Sequence, residues 1–268
     1  MKLEIIIPAY NCIKTLNRTL ASLEAQTYND FYVHIIDDNS SENILPIINR
    51  HKSNLNIKIT RNEKNLGCGM TRQVGIDSTD ADYIAFLDSD DVLMPYAIET
   101  WINMALANPE YDIFHSHFYE QKKINNDSAL ILHKNGFTWC HGKLYKTEFL
   151  KKWNIRNLPE VKYSDDSFFN SMCTELGSMT IIPIPTYIWI NNLDSITRSK
   201  DSLYEAEKYF DFLHAMRLSI EFVYKNGVIN ISHLPQTMNV INSYINDLDD
   251  RCKNEYSMLI ELINGGVQ

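Results

Sequence analysis

The chain has 268 residues, 44% hydrophobic and 22% charged, enough for a packed core in one large domain or a domain with an appendage. No apolar run approaches the roughly 20 residues of a membrane span, and the opening MKLEIIIPAYN lacks the long apolar region of a signal peptide. A formal net charge of −9 argues against gripping nucleic acid by bulk charge, and an odd set of five cysteines without CxxC spacing reads as reduced thiols of a cytoplasmic protein.

Residues 3–7 are an aliphatic run ended by Pro8, which predicts a buried strand. Asn11 is placed to cap a helix in which Ile13, Leu16, Leu20 and Leu23 recur at helical spacing. A second strand spans 31–36 and ends at Asp37-Asp38-Asn39-Ser40. A helix over 44–50, a strand over 57–60, and a helix from Asn65-Leu66-Gly67 to about Ile76 follow. Residues 83–87 form a fourth strand that runs into Asp88-Ser89-Asp90-Asp91, and Pro95 opens a helix through Trp101. Further on, strands are predicted over 112–119, 143–145, 179–182 and 186–190, with helices over 147–153 and 165–176. Beyond about 201 the pattern is helical, broken at Gly227, with shorter helices over 233–247 and 252–263.

Alternating strands and helices predict an α/β chain with a mostly parallel sheet, whose ligands bind beyond the carboxyl ends of the strands. Three polar clusters fall at such ends: Tyr10-Asn11, Asp37-Asp38 and Asp88 to Asp91. In FLDSDD three carboxylates lie within four positions. Their mutual repulsion is relieved by a divalent cation such as Mg²⁺ or Mn²⁺ bridging substrate phosphates. The same segment also reads as a turn with capping acids. Asp37-Asp38 can accept from a base or a ribose hydroxyl, or form an Asx-turn. GxGxxG and GxxxxGK[ST] are both missing, which leaves Arg72, Arg198 and Lys200 as candidate phosphate ligands. His115 and His117 share a strand face and read as packing or as metal ligands. Trp139, Tyr187 and Trp189 read as core or as sugar-stacking rings.

IIIPAYN, IIDDNSS, NLGCGMTRQVGI, FLDSDD, HGKLYKTEFL and YSDDSFF occur in that order. Over roughly residues 3–200 this resembles the family-2 glycosyltransferases of GT-A fold. The resemblance implies a nucleotide-sugar half over 1–95, an acceptor-side half over 96–200 and a helical appendage over 201–268. It implies that Pro8, Ala9, Tyr10, Asn11, Asp37, Asp38, Gly67, Arg72, Asp88 and Ser89 bind the nucleotide. Asp90 and Asp88 would hold Mn²⁺ or Mg²⁺. The general base would be Asp166, preceded by Asp165 where the family usually has Glu. Asp91, His141, Lys143, Asp165 and Arg198 would lie near acceptor or phosphate.

The implied reaction moves a sugar from a nucleotide diphosphate, with uridine the commoner base, to a hydroxyl with inversion. The implied acceptor is a glycan, a lipid-linked glycan or a teichoic-type polymer. Modified phage DNA is a further candidate, which would need a basic strip from Lys122, Lys123, Lys134, Lys143, Lys146, Lys151 and Lys152. The C-terminal helices could serve a homo-oligomer, and peripheral attachment at the inner membrane face is compatible with this reading. Two competing readings are a sugar nucleotidyltransferase, which needs a glycine-rich basic loop that this sequence lacks, and a non-catalytic nucleotide-sugar-binding or partner subunit.

Overall fold

Four short aliphatic runs build the first half of the sheet. β1 (Leu3–Ala9), β2 (Tyr32–Asp37), β3 (Asn56–Arg61) and β4 (Tyr83–Phe86) pair in parallel in the order β3-β2-β1-β4. β1 is buried along its whole length, as a strand covered on both faces must be. The computed structural model describes residues 1–124, 127–134, 139–190, 202–244 and 249–265.

Helices α1 (Leu16–Glu24), α2 (Leu45–His51) and α3 (Cys68–Ser78) connect these strands. Leu16, Leu20 and Leu23 are fully buried, in line with their spacing. Asn11 does not cap α1. Thr15 stands at the N-cap, while Asn11 takes a left-handed φ of 47° and its side-chain oxygen accepts from Ser41 N at 2.9 Å.

The second half of the sheet is mixed. After the two-residue β5 (Val92–Leu93) and α4 (Ala97–Ala107) come β6 (Ile113–Ile124), β7 (Asp127–His133) and β8 (Lys143–Lys146). Then follow α5 (Thr147–Lys152), α6 (Asp165–Leu176) and β9 (Met179–Ile190). β8 inserts antiparallel between β4 and β6, and β9 pairs in parallel with β6. Two strands predicted over 179–182 and 186–190 are one. Its ladder with β6 shifts register around His117, opposite the stretch holding Pro183 and Pro185, which have no N–H to donate.

The chain divides into two compact units. One comprises residues 1–136, 140–154 and 177–192, and so holds the sheet. The other comprises 137–139, 155–176 and 193–268. In the second, α7 (Ser202–Lys225) packs on α6 and on α9 (Asp250–Gly265), with α8 (Leu234–Tyr244) between α7 and α9 in sequence. Phe168, Phe169 and Met172 of α6 and Leu213, Met216 and Ile220 of α7 form its core. α6, which precedes residue 200, belongs to the same compact unit as the C-terminal helices and packs on α7. Gly227 ends α7 as expected, with φ 86° and Val228 N bonded back to Val223 O. Among the described residues no helix is long and apolar enough to cross a membrane.

Candidate active site

The parallel register aligns the carboxyl ends of three strands. Ala9 pairs with Asp37, and Asp37 with Arg61. Asp37 is buried, ion-paired with Arg61, and accepts from Ser40 N at 2.9 Å. Asp38 is also buried. Its carboxylate accepts from Asn62 Nδ2 and Leu66 N, each at 2.8 Å, and from Gly67 N at 2.9 Å. It thereby fixes the turn that leads into α3, where Gly67 takes a φ of 83° that favours glycine. Pro8 and Ala9 are buried at the end of β1, and Tyr10 is half exposed.

The acidic loop after β4 is held from both sides. Arg18 Nη2 donates to Asp90 O at 2.7 Å, and Thr19 Oγ1 to Ser89 O at 3.0 Å. Arg72, buried on α3, donates to Asp88 Oδ1 at 2.7 Å. Burial works to raise the pKa of Asp88, but the Arg72 guanidinium and His141 outweigh it and hold this carboxyl well below the usual range. Asp91 is almost fully buried and takes the opposite course. Burial, then the charges of Asp88 and Asp90, push it well above the usual range. Its carboxylate accepts from Tyr187 Oη at 2.6 Å and from Ile190 N at 2.7 Å, which ties the end of β9 to the loop. Tyr187 Oη in turn accepts from Asp88 N at 3.3 Å.

His141 arrives from the other half of the sheet, two residues before β8. Its ring stacks on Tyr187 at 4.7 Å and lies 5.5 Å from Trp189. Its Nε2 is 3.8 Å from Asp88 Oδ2. The next residue, Gly142, has φ 66°, and its carbonyl accepts from Ser116 Oγ at 2.6 Å. Ser116 Oγ also bonds Thr186 Oγ1 and accepts from Trp101 Nε1 at 3.3 Å, so β6, β9 and α4 jointly set the turn. One donor atom each from Asp88, Asp91 and His141 lie within 4.8 Å of one another.

This convergence joins residues that the sequence placed in different roles. Asp88 was read as a metal ligand, and Asp91 and His141 as acceptor- or phosphate-side. Lys143 is interior at 1% exposed. His115 and His117 are both buried. Burial, with the Lys143 and His117 charges adding to it, holds His115 down to about 2. Asp165 and Asp166 begin α6 in the helical unit, where two acids suit the positive end of the helix dipole. Arg198 and Lys200, with the Ser195–Thr197 stretch, lie outside the described residues. Arg61 and Asn62 are structural partners of the loops that motif reading missed. The available signal was position, since Arg61 ends β3 and Asn62 follows it, on the edge where Asp37 ends β2.

The profile of glycosyl transferase family 2 matches residues 4–161. A poly(ribitol-phosphate) β-glucosyltransferase of Bacillus spizizenii is 31% identical over 186 residues, covering 63% of this chain and 29% of that protein. A poly(ribitol-phosphate) β-N-acetylglucosaminyltransferase, TarS, of Staphylococcus aureus is 27% identical over 187 residues, covering 63% and 32%. The chain thus spans under a third of the length of these relatives. The crystal structure of S. aureus TarS 1–349 with UDP-GlcNAc superposes with a TM-score of 0.79 at 19% identity, over 98% of this chain and 82% of that one. A mannosyltransferase of Pyrobaculum calidifontis, solved with GDP-Man and Mn²⁺, gives 0.61 at 14% identity, over 99% and 76%. These likenesses show a GT-A fold. Together with the profile match over residues 4–161, they place the chain in glycosyl transferase family 2.

Proposed function

We propose that this chain transfers a sugar from a uridine diphosphate sugar to a hydroxyl of a polyol-phosphate polymer, with inversion at the anomeric carbon. The observation that carries this reading is the approach of His141 to Asp88 beyond the end of β4, on the same sheet edge as the Asp37-Asp38 end of β2, with β1 between them. A carboxylate and an imidazole are donor chemistry for a divalent cation. Both Asp91 oxygens already accept hydrogen bonds, so Asp91 serves as the clamp on β9. Asp88 and His141, with Asp90, would hold Mn²⁺ or Mg²⁺, and the imidazole favours Mn²⁺. When bound, such an ion neutralises charge growing on the diphosphate leaving group.

The remaining work falls to the chain itself. Arg72 keeps Asp88 ionised, and Asp38 holds the 65–67 turn beside it. The general base that the family resemblance assigns, Asp166, would take the proton of the acceptor hydroxyl as its oxygen bonds to the anomeric carbon and the bond to the diphosphate breaks. One displacement inverts the centre, and no nucleophilic side chain is required.

The two relatives named for poly(ribitol phosphate) support a polyol-phosphate acceptor. Modified DNA fits less well. Lys143 is buried, Lys122 pairs with Glu120 at 3.1 Å, and Lys146 and Lys151 donate to the carbonyls of Pro109 and Thr79.

Thermal unfolding with UDP-GlcNAc, UDP-glucose and UDP, each with Mn²⁺, Mg²⁺ or chelator, tests the reading. A ligand at a hundred times its Kd stabilises by about 2.7 kcal/mol. One UDP-sugar should raise the midpoint only with metal, more with Mn²⁺ than Mg²⁺, and Asp88→Asn should abolish the rise. If no UDP-sugar shifts the wild-type protein under any metal condition, the donor assignment is wrong.

A further inference from the structure

The approach to Asp166 is held by a residue from a different helix. Three successive backbone amides, Lys162 N, Tyr163 N and Ser164 N, point at one carboxylate, that of Asp211 in the middle of α7. Lys162 N donates to Oδ1 at 2.8 Å. Tyr163 N and Ser164 N donate to Oδ2 at 2.9 and 2.8 Å. Asp211 is 6% exposed and Ser164 is 7% exposed, so the Ser164 bond is buried, and the other two are part-buried. Three amides aimed at one buried carboxylate form an anion nest filled from within the protein.

The nest stands immediately before α6. Ser164 O accepts the first-turn amide of Phe168 at 2.8 Å, and Asp166 O accepts from Asn170 Nδ2 at 2.9 Å. Fixing 162–164 therefore fixes the direction in which the first turn, with Asp165 and Asp166, leaves the loop. A loop of this length without the nest would sample many entry angles, and a displacement of about 1 Å at a catalytic group can cost on the order of a hundredfold in rate.

We propose that Asp211 is a positioning residue for Asp166: α7 serves the reaction by holding the 162–164 amides and so the start of α6. The inference rests on the reading of Asp166 as general base. It gives the C-terminal helices a part in turnover.

The test compares wild type with Asp211→Asn, Asp211→Glu and Asp166→Asn, using UDP-GlcNAc and UDP-glucose as donors and poly(ribitol phosphate) as acceptor. Asn keeps the size of Asp but turns one acceptor oxygen into an amide NH₂ that faces backbone N–H. Asp211→Asn should lower kcat by about 10- to 100-fold with donor KM within about twofold of wild type, as expected when only transition-state geometry is lost. Amide exchange of residues 162–168 should speed up, and Asp211→Glu, which keeps both acceptors, should recover part of kcat. Unchanged exchange over 162–168 in Asp211→Asn overturns the inference whatever the turnover. If Asp166→Asn abolishes turnover while Asp211→Asn retains wild-type kcat, the positioning role is wrong and the reading of Asp166 stands. If Asp166→Asn turns over normally, that reading fails and the inference falls with it.

Discussion

At Gly142 a single backbone conformation sets the direction of His141. Its φ of 66° lies in the left-handed region, and a Cβ added there would sit 2.9 Å from Ser116 Oγ and 3.1 Å from Ser116 O. Left-handed strain alone costs about 1–2 kcal/mol, and the Cβ contact adds a shift of the Ser116 hydroxyl, which Trp101 Nε1 and Thr186 Oγ1 hold in place. Gly142→Ala should therefore lower stability by about 2–4 kcal/mol, read from the urea midpoint, and should weaken Mn²⁺-dependent stabilisation by UDP-GlcNAc as His141 turns away from Asp88. A variant that binds like wild type would show that His141 takes no part in holding the ion. This site was only half legible from the sequence. The carboxylates of FLDSDD advertise themselves because unpaired acids so close together are costly. Nothing in HGKLY says that His141 faces Asp88. That contact exists because β8 runs antiparallel beside β4, a pairing that local spacing does not encode. The structure likewise gives Asp38 a partner set in Leu66 N and Gly67 N, because a turn's need for a backbone acceptor leaves no mark in a motif.

Among the elements, strands buried on both faces and helices with one buried stripe were legible. β1, β2 and β4 are near-continuous aliphatic runs closed by polar residues, and α1 shows its buried stripe at the right period. β7 escaped notice because its exposure alternates and only β6 pairs with it among the described residues. β5, at two residues, is too short for any periodicity. The joint between α6 and α8 was equally hidden, and it carries a pH signature. Glu175, near the end of α6, accepts from Ser232 N, Ser232 Oγ at 2.6 Å and His233 N at 3.2 Å, and pairs with His233 Nδ1 at 2.7 Å. Burial works to raise its pKa, but the His233 and Ser232 hydrogen bonds prevail and lower it to about 2 from 4.5. A lowered folded pKa means that the contribution is complete above about pH 4.5 and is lost as pH falls through 2. After solvent screening the carboxylate should be worth about 1–2 kcal/mol at neutral pH. Glu175→Gln should lose that amount at pH 7 and flatten the stability profile between pH 4.5 and 2. If the variant keeps the wild-type slope in urea titrations across that range, another carboxylate is responsible.

For the whole molecule, net charge sets the long-range force on a polyanionic acceptor. The chain carries −9, and a polyol-phosphate polymer carries one negative charge per repeat, so the long-range force between them is repulsive. At about 0.01 M salt that force reaches about 30 Å, and at 0.15 M it reaches only about 8 Å. Screening should thus help the encounter: the KM for poly(ribitol phosphate) should fall or hold steady as salt rises over this range. A protein that grips a polyanion with a row of lysines behaves in the opposite way, since binding releases counterions and weakens steeply with added salt. Of the lysines named for such a row, Lys143 is buried and Lys122 pairs with Glu120, so the screened regime is the one expected. Initial rates with poly(ribitol phosphate) at several salt concentrations, at saturating UDP-sugar and Mn²⁺, decide the matter. A rising KM would place a local basic surface at the acceptor cleft, gripping the polymer by its phosphates. A flat or falling KM leaves recognition to hydroxyl geometry and short-range contacts.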